Sequence, residues 1–251
     1  MIKIVIDVRR VRDFGIGTYI RNLAQALGAL DRINRYVLVG FVQDKPLLAG
    51  LPLNFQLASY RRQDDDYWDN IAFPLFLRRF AADLVHIPLN RVPLLLPKPY
   101  VVTVHDMASL LYEQASGLRM KVRRLRLRRG LERADRVIAV SEATRRDVQD
   151  HLGIPADRVR VVYNAPDPQF FARHPVADAR LAVPDGHDLE RQRILERYQI
   201  HYPFVLYAGN IRKQKNIPRL VEAFAVVREG LASHPVYKDL KATLLPGAWL
   251  S

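Results

Sequence analysis

The feature that most constrains the fold of this chain is a regular alternation of short apolar runs with longer segments of helical periodicity. The apolar runs are residues 2–7, 36–42, 54–60, 83–87, 100–105, 136–140, 158–163, 204–208 and a last candidate at 241–245. Several are almost wholly apolar, which is typical of strands that helices cover on both faces. The alternation therefore predicts a doubly wound α/β fold with parallel sheets.

Helical periodicity lies between these runs, at residues 18–30, 67–80, 118–133, 142–152, 188–198 and 218–231. Ser141 can cap the start of the fourth helix, and Gly153 can close it in the left-handed conformation. The rhythm of strands lapses between residues 166 and 203, where prolines are scattered among charges. We interpret this stretch as a linker. It predicts a first domain over 1–171, a linker over 172–202 and the start of a second domain over 203–251.

Composition limits the class of protein. With 251 residues and 49% hydrophobic content, the chain can bury a sizeable core. It has no cysteine, which excludes disulfides, thiolate metal sites and a cysteine nucleophile. The first apolar run is broken by Asp7 and is too short for a signal peptide or a membrane span, so we expect a cytoplasmic protein. The net charge of +13 favours anionic partners such as nucleic acid, anionic lipid or phosphorylated substrates.

The first candidate for chemistry is the segment 13–19, which carries Gly15 and Gly17 between the first strand and the first helix. Glycines at this place let backbone N–H groups approach an anion. Ordinary turn glycines would give the same sequence pattern. The spacing departs from the dinucleotide-binding pattern Gly-x-Gly-x-x-Gly because position 20 is Ile. This argues against a nicotinamide-dependent oxidoreductase.

The second candidate is the pair His105 and Asp106, at the carboxyl end of the apolar run 100–105. Ligands of open α/β sheets bind at that edge. Alternatively, Asp106 caps a turn and His105 packs internally. His86 also ends a strand, but no polar neighbour follows it, so it carries less weight.

A third group follows later strands. Ser141 ends the run 136–140, and Asn164 follows the run 158–163; helix capping and a turn also account for them. Within residues 209–216, Gly209 and the cations Arg212 and Lys215 lie where a helix begins. The positive charges and the helix dipole would both favour binding of a diphosphate at this place. A solvated basic turn is the alternative.

The segment 118–133 is strongly basic, with a single acidic residue, Glu132. A cytoplasmic membrane surface attracts such a cluster. Its apolar residues form two opposite stripes, Leu118/Val122/Leu125 and Met120/Leu127/Leu131. We therefore expect one stripe to pack on its own domain, and the other face to contact lipid, solvent or a partner.

In chain order, the motifs resemble those of family 4 glycosyltransferases of the GT-B fold, over nearly all of residues 1–230. The matching segments are Gly15-Ile-Gly17, Val104-His105-Asp106, Val137-Ile-Ala-Val-Ser141-Glu, Val162-Tyr-Asn164 and Gly209-Asn-Ile-Arg212-x-x-Lys215-Asn216. The resemblance implies two Rossmann-like domains, the second of them incomplete here. It also implies transfer of a sugar, typically with retention of configuration, from a nucleotide-diphosphate sugar to a glycan or lipid-linked acceptor.

The resemblance also implies roles for single residues. Gly15 and Gly17 match a glycine loop near the donor phosphate, and His105, followed by Asp106, matches the histidine that contacts the transferred sugar. Arg212 and Lys215 match the basic pair that neutralises the leaving diphosphate.

Ser141 and Asn164 match positions that line the cleft. Because fixed cations stabilise the leaving group, no metal and no cofactor besides the nucleotide-sugar substrate is expected.

One departure bears on activity. The family's acidic motif, two glutamates eight positions apart, has no counterpart, which is consistent with a truncated or frameshifted reading frame. We therefore expect this chain alone to transfer little or no sugar. The alternative is a basic module that binds anionic membrane or nucleic acid without catalysis. No nucleic-acid motif is recognisable, so a nucleic-acid partner is not expected.

Overall fold

A computed structural model describes residues 1–64, 66, 68–111, 117–166, 186–201, 204–211 and 213–233. The chain divides into two compact units, Met1–Asp167 and Pro168–Ser251. The finer division predicted above, with a linker over 172–202, stays a prediction.

The first unit is built on one parallel sheet of seven strands. The strands are β1 (Lys3–Asp7), β2 (Arg35–Gly40), β3 (Phe55–Ser59), β4 (Leu84–Ile87), β5 (Tyr100–Val104), β6 (Arg136–Ala139) and β7 (Val159–Val161). Their order is β3-β2-β1-β4-β5-β6-β7, and every neighbouring pair is parallel. Six of the seven lie within runs predicted from the sequence, and β2 begins one residue before its predicted run. The predicted doubly wound α/β fold is confirmed.

Helices cover both faces of this sheet. They are α1 (Phe14–Leu30), α2 (Asp69–Arg78), α3 (Ala108–Leu111), α4 (Leu118–Arg133) and α5 (Glu142–Leu152). On one face α1 packs against residues of β1 and β2. On the other, α2, α4 and α5 share a single apolar cluster with the central strands. The strand order reverses between β1 and β4, and ligands of open α/β sheets bind at such a point.

Helix α1 begins at Phe14, four residues before its predicted start, so Gly15 and Gly17 lie in its first turn. The prediction of a glycine loop at this place is wrong. The connection from β1 is instead made by residues 8–13, with backbone bonds from Val11 N to Val8 O and from Asp13 N to Arg10 O. The amide of Gly17 donates to the carbonyl of Asp13 at 2.9 Å, which begins the helical ladder.

Two features that the sequence predicts for α5, a serine cap at its start and a left-handed glycine at its end, are confirmed. The Ser141 hydroxyl accepts a hydrogen bond from the Thr144 amide at 3.1 Å, and Gly153 closes the helix at φ 67°. On α4 one apolar stripe packs inward, with Leu127 and Leu131 buried, while Val122 and Leu125 of the opposite stripe are exposed. The expectation that one stripe packs on its own domain is confirmed.

The second unit contains α6 (Gly186–Arg197), a short 3-10 turn at Lys213–Lys215 and α7 (Ile217–Ser233). The strand predicted at 204–208 is not formed. Its apolar side chains are exposed, and the described residues of this unit offer no neighbouring strand with which it could pair. The strand predicted at 241–245 lies outside the described residues.

Candidate active site

The candidate site of the first unit lies at the carboxyl ends of β1, β4 and β5. Three chain segments meet there: the connection after β1, the segment 88–90 after β4, and His105 after β5. The strand order reverses between β1 and β4, so the loops after these strands diverge and leave room at the edge. The sequence therefore places His105 where this fold binds ligands.

Three contacts fix the orientation of His105. Its Nε2 lies 3.1 Å from the carbonyl oxygen of Pro88, and its ring meets the Tyr19 ring edge-on, with centroids 4.8 Å apart. Its backbone amide donates to the Asn90 side chain at 3.1 Å. A carbonyl oxygen can only accept a hydrogen bond, so Nε2 must carry a proton. In the neutral ring, Nδ1 is then left with a lone pair.

Burial keeps this histidine neutral. It lowers the pKa of His105, and the Pro88 carbonyl and Asp106 only partly offset that effect. His86, one strand away, is almost wholly enclosed; burial and the charge of His105 lower its pKa to about 4. At neutral pH both imidazoles are uncharged.

A small polar network lies behind His105. The Thr103 hydroxyl is 2.8 Å from His86 Nε2 and 3.3 Å from the Tyr19 hydroxyl. Burial raises the pKa of Tyr19, which stays protonated. Sequence reasoning missed Tyr19 and Thr103. Thr103 is the one polar residue inside the apolar run of β5, and that was the available signal.

Asp106 has a mainly structural position. Its side chain is exposed, and its Oδ1 accepts a hydrogen bond from the Ala108 amide at 3.0 Å, at the start of α3. The Asn90 side chain donates to the Asp106 carbonyl at 2.7 Å. These are the contacts of the capping alternative, and a catalytic role for Asp106 stays a prediction.

A buried ionic cluster holds the connection after β1. The Arg9 guanidinium contacts Asp7 at 2.7 Å and Asp69 at 2.6 Å, and it lies 3.7 Å from the centroid of the Phe73 ring. The Tyr60 hydroxyl donates to the second oxygen of Asp69 at 2.8 Å. Burial alone would lower the pKa of Arg9, but the two carboxylates raise it well above its usual range. The cluster ties β1 to α2 beneath the site.

The two glycines of α1 differ in their surroundings. Gly15 is exposed, and a Cβ added there would meet nothing within 4 Å. Gly17 is buried, and a Cβ there would lie 2.8 Å from the carbonyl carbon of Val11 and closer still to its oxygen. Packing alone therefore accounts for Gly17, whereas Gly15 leaves the backbone open to a ligand.

Ser141 and Asn164 follow the neighbouring strands β6 and β7. Ser141 caps α5, and the hydroxyl of Thr144 in that cap donates to the His105 carbonyl at 3.2 Å, which links Ser141 indirectly to the site. Asn164 is exposed in the segment after β7. Their predicted places at a ligand cleft stay predictions.

In the second unit, Lys215 is exposed in the 3-10 turn that precedes α7. The amide of Asn216 donates to the Lys213 carbonyl at 3.1 Å, which tightens this turn. Arg212 lies outside the described residues. In the part of the chain that the structure describes, no three His, Asp or Glu side chains are grouped as metal ligands would be.

A cavity of about 680 Å³ opens beside the site, within the first unit. Asp13 and Ile16 line it from the connection after β1 and the start of α1, and Asp106 lines it from the end of β5. The start of α2 and residues 122–127 of α4 also contribute to its lining, and four arginines and five aspartates face it in all. Such mixed polar groups suit a hydroxyl-rich or charged ligand more than an apolar one.

Together, a doubly wound parallel sheet, an open glycine at the first helix and a neutral histidine at the carboxyl edge define a Rossmann-like domain with a candidate ligand site. The family model for glycosyltransferase family 4 matches residues 15–170, more than half of the chain. The chain belongs to glycosyltransferase family 4.

Individual relatives agree with this membership. Over 154 residues the chain is 31% identical to the α-maltose-1-phosphate synthase of Mycolicibacterium smegmatis, matching 60% of this chain and 35% of that protein. A glycosyltransferase from Rickettsia africae aligns at a TM-score of 0.58 and 17% identity, covering 91% of this chain and 58% of that one. HepE of Anabaena, solved with UDP and glucose, aligns at 0.62 and 15%, covering 90% and 58%. The expected GT-B type of fold is confirmed.

Among the helices that the structure describes, none combines the length and the apolar character that crossing a bilayer requires.

Proposed function

We propose that the protein transfers a sugar from a nucleotide-diphosphate donor to a glycan or lipid-linked acceptor. Membership in glycosyltransferase family 4 supports sugar transfer. The UDP and glucose bound to HepE support the donor class. The chain spans 35% of its curated relative and 58% of the two solved structures, so the activity of a whole transferase is part of the proposal.

The observation that carries the proposal is the fixed, neutral state of His105. With Nε2 bound to the Pro88 carbonyl, Nδ1 can accept a hydrogen bond from a sugar hydroxyl. When the nucleoside diphosphate leaves, the sugar becomes electron-poor. A neutral imidazole does not repel that positive charge, whereas an imidazolium would. The depressed pKa of His105 thus suits contact with the transferred sugar.

The leaving group needs positive charge, which we assign to Lys215 and Arg212 at the start of α7. A helix N-terminus and a fixed ammonium favour the same diphosphate without a metal ion. Gly15 contributes an unobstructed backbone. Transfer of a hexose, retention of configuration and independence of metal belong to the proposal in the same way. The expectation that this chain alone transfers little sugar stays a prediction.

Calorimetric titration of the 251-residue chain with UDP, GDP and ADP tests the donor class. Replacing Lys215 with Ala removes a charge-assisted hydrogen bond worth roughly 1.5–3 kcal/mol, so affinity for the preferred nucleotide should fall about 10-fold or more. Lys213→Ala is the matched control, because it removes another exposed lysine from the same turn, and it should change affinity less than threefold. Absence of binding by all three nucleotides, or equal losses in both variants, contradicts the proposal.

A second candidate partner is an anionic membrane. Lys121, Arg124, Arg128 and Arg129 of α4 are exposed. Since each such cation attracts an anionic surface, we propose a cytoplasmic protein that contacts the inner face of the membrane peripherally.

A further inference from the structure

Helix α2 exposes an apolar stripe that the sequence pattern did not single out. Its buried side is formed by Asp69, Phe73, Pro74 and Leu77. On the other side, the side chains of Trp68, Ile71 and Leu75 are 63%, 49% and 55% exposed. Their spacing of three and four residues places them in one row along the helix. Arg78 and Arg79 follow at the end of the row and are exposed.

Helix α4 repeats this arrangement. Leu127 and Leu131 pack inward, and the opposite side exposes Val122 at 39% and Leu125 at 46%. Cations surround these two residues. They are Lys121, Arg124, Arg128 and Arg129. The one acidic residue of the helix, Glu132, is paired with Arg128 at 2.7 Å.

The two stripes belong to the same face of the sheet. Phe73 and Leu77 of α2 share one buried cluster with Leu127 and Leu131 of α4. The sides of the two helices that point away from the sheet therefore point the same way. Asp69 and Asn70 of α2 and Val122, Arg123, Arg126 and Leu127 of α4 also line the 680 Å³ cavity, so that cavity opens between the two helices.

We propose that the outward sides of α2 and α4 form one surface that docks on an anionic membrane. Tryptophan and aliphatic side chains bordered by arginine and lysine are what a protein places at the level of lipid headgroups. We expect neither helix alone to bind a membrane firmly. Together, the two apolar stripes and the attraction of the cations for anionic lipid are expected to suffice. Residues of both helices line the cavity, so a molecule bound there would lie beside the bilayer, which favours a lipid-linked acceptor. That last step rests on the proposed sugar transfer.

Vesicle flotation of the 251-residue chain tests the surface. We expect binding to phosphatidylcholine vesicles that contain phosphatidylglycerol, and little binding to phosphatidylcholine alone. Within the described residues, Lys121 and Arg129 form no side-chain hydrogen bond or ion pair, so K121Q/R129Q should leave the fold intact. At about fivefold for each neutralised cation, this variant should partition roughly 25-fold more weakly.

A second pair of variants tests the apolar contribution. Ile71→Ser with Leu75→Ser removes two half-exposed side chains, and we expect partitioning to weaken by roughly 10-fold or more. Leu30→Ser is the matched control, since Leu30 is 85% exposed but lies on α1, on the opposite face of the sheet. It should change partitioning less than twofold.

The fluorescence of Trp68 locates the bound surface. Trp249 is the only other tryptophan of the chain, so a Trp249→Phe variant reports Trp68 alone. We expect a blue shift on anionic vesicles and quenching by lipids brominated in the acyl chain.

Three results overturn the proposal: no binding to anionic vesicles, binding without quenching of Trp68, or a dimer in light scattering that shields Trp68 without lipid. Nucleotide binding is absent from all these assays, so they fail or succeed independently of the donor titration.

Discussion

Replacing Gly17 with alanine should destabilise the first unit, while the same change at Gly15 should stabilise it. The two glycines are two residues apart in the first turn of α1, yet only Gly17 faces backbone. An added Cβ at Gly17 would lie 2.8 Å from the Val11 carbonyl carbon and 3.1 Å from the Arg10 carbonyl oxygen. Ordinary contact begins at about 3.4 Å, so the helix or the preceding connection must move.

The magnitudes separate the two variants clearly. Overpacking against backbone costs roughly 1–3 kcal/mol, and the better helix propensity of alanine offsets at most about 1 kcal/mol of it. At Gly15 only the propensity gain of roughly 0.5–1 kcal/mol remains, because nothing lies within 4 Å. The free energies of unfolding of the two variants should therefore differ by about 2 kcal/mol.

Urea unfolding followed by Trp68 fluorescence, in the Trp249→Phe background, measures this difference within the first unit. Equal effects of the two substitutions, or a more stable Gly17→Ala variant, would refute the packing argument. The same proteins also test the ligand role. If Gly15 lies against the donor phosphates, Gly15→Ala should weaken nucleotide binding in the calorimeter although it stabilises the fold.

Three further changes test other contacts. Asp69→Asn leaves the buried Arg9 guanidinium with one carboxylate fewer and should cost about 3 kcal/mol in urea unfolding. Asp66→Asn breaks an ion pair at the surface and should cost much less. His86 takes up its proton only near pH 4 in the folded state but near 6.5 when unfolded, so stability should fall by about 3 kcal/mol as pH drops through that window. His86→Asn should remove most of this slope; an unchanged slope in that variant contradicts the prediction. Ser141→Ala should cost about 1 kcal/mol through the lost cap, and Ser141→Asp should restore it; a neutral alanine variant would show that the cap contributes nothing.

The central strands of the first unit were predictable because they are buried on both faces and therefore need almost wholly apolar runs. Residues 36–40 and 100–104 show this plainly. The start of α1 was not predictable in the same way. Glycine has low helix propensity, so Gly15 and Gly17 suggested a loop. The helix nevertheless begins before them, because Gly17 lets it approach the Val11 carbonyl, a tertiary contact that outweighs propensity.

For residues 204–208 the sequence predicted a regular element, a strand, that does not form. The segment has the composition of a buried strand, but a strand needs a neighbour that supplies hydrogen bonds.

The exposed stripe of α2 was missed for a related reason. The helical periodicity of 67–80 does not distinguish its two apolar sides, and only the burial of Phe73 and Leu77 shows which side packs.

The sequence predicted the position of His105 but not its protonation. The strand pattern placed the residue at the carboxyl edge, but the atom that decides which ring nitrogen carries the proton is the backbone carbonyl of Pro88. A carbonyl belongs to every residue and leaves no signal in the sequence. The tautomer is therefore a property of how β4 and β5 lie side by side, and a side-chain change at position 88 that keeps the backbone in place should preserve it. Substitutions that displace the end of β4 should free Nε2 and change the protonation of His105 without touching the histidine itself.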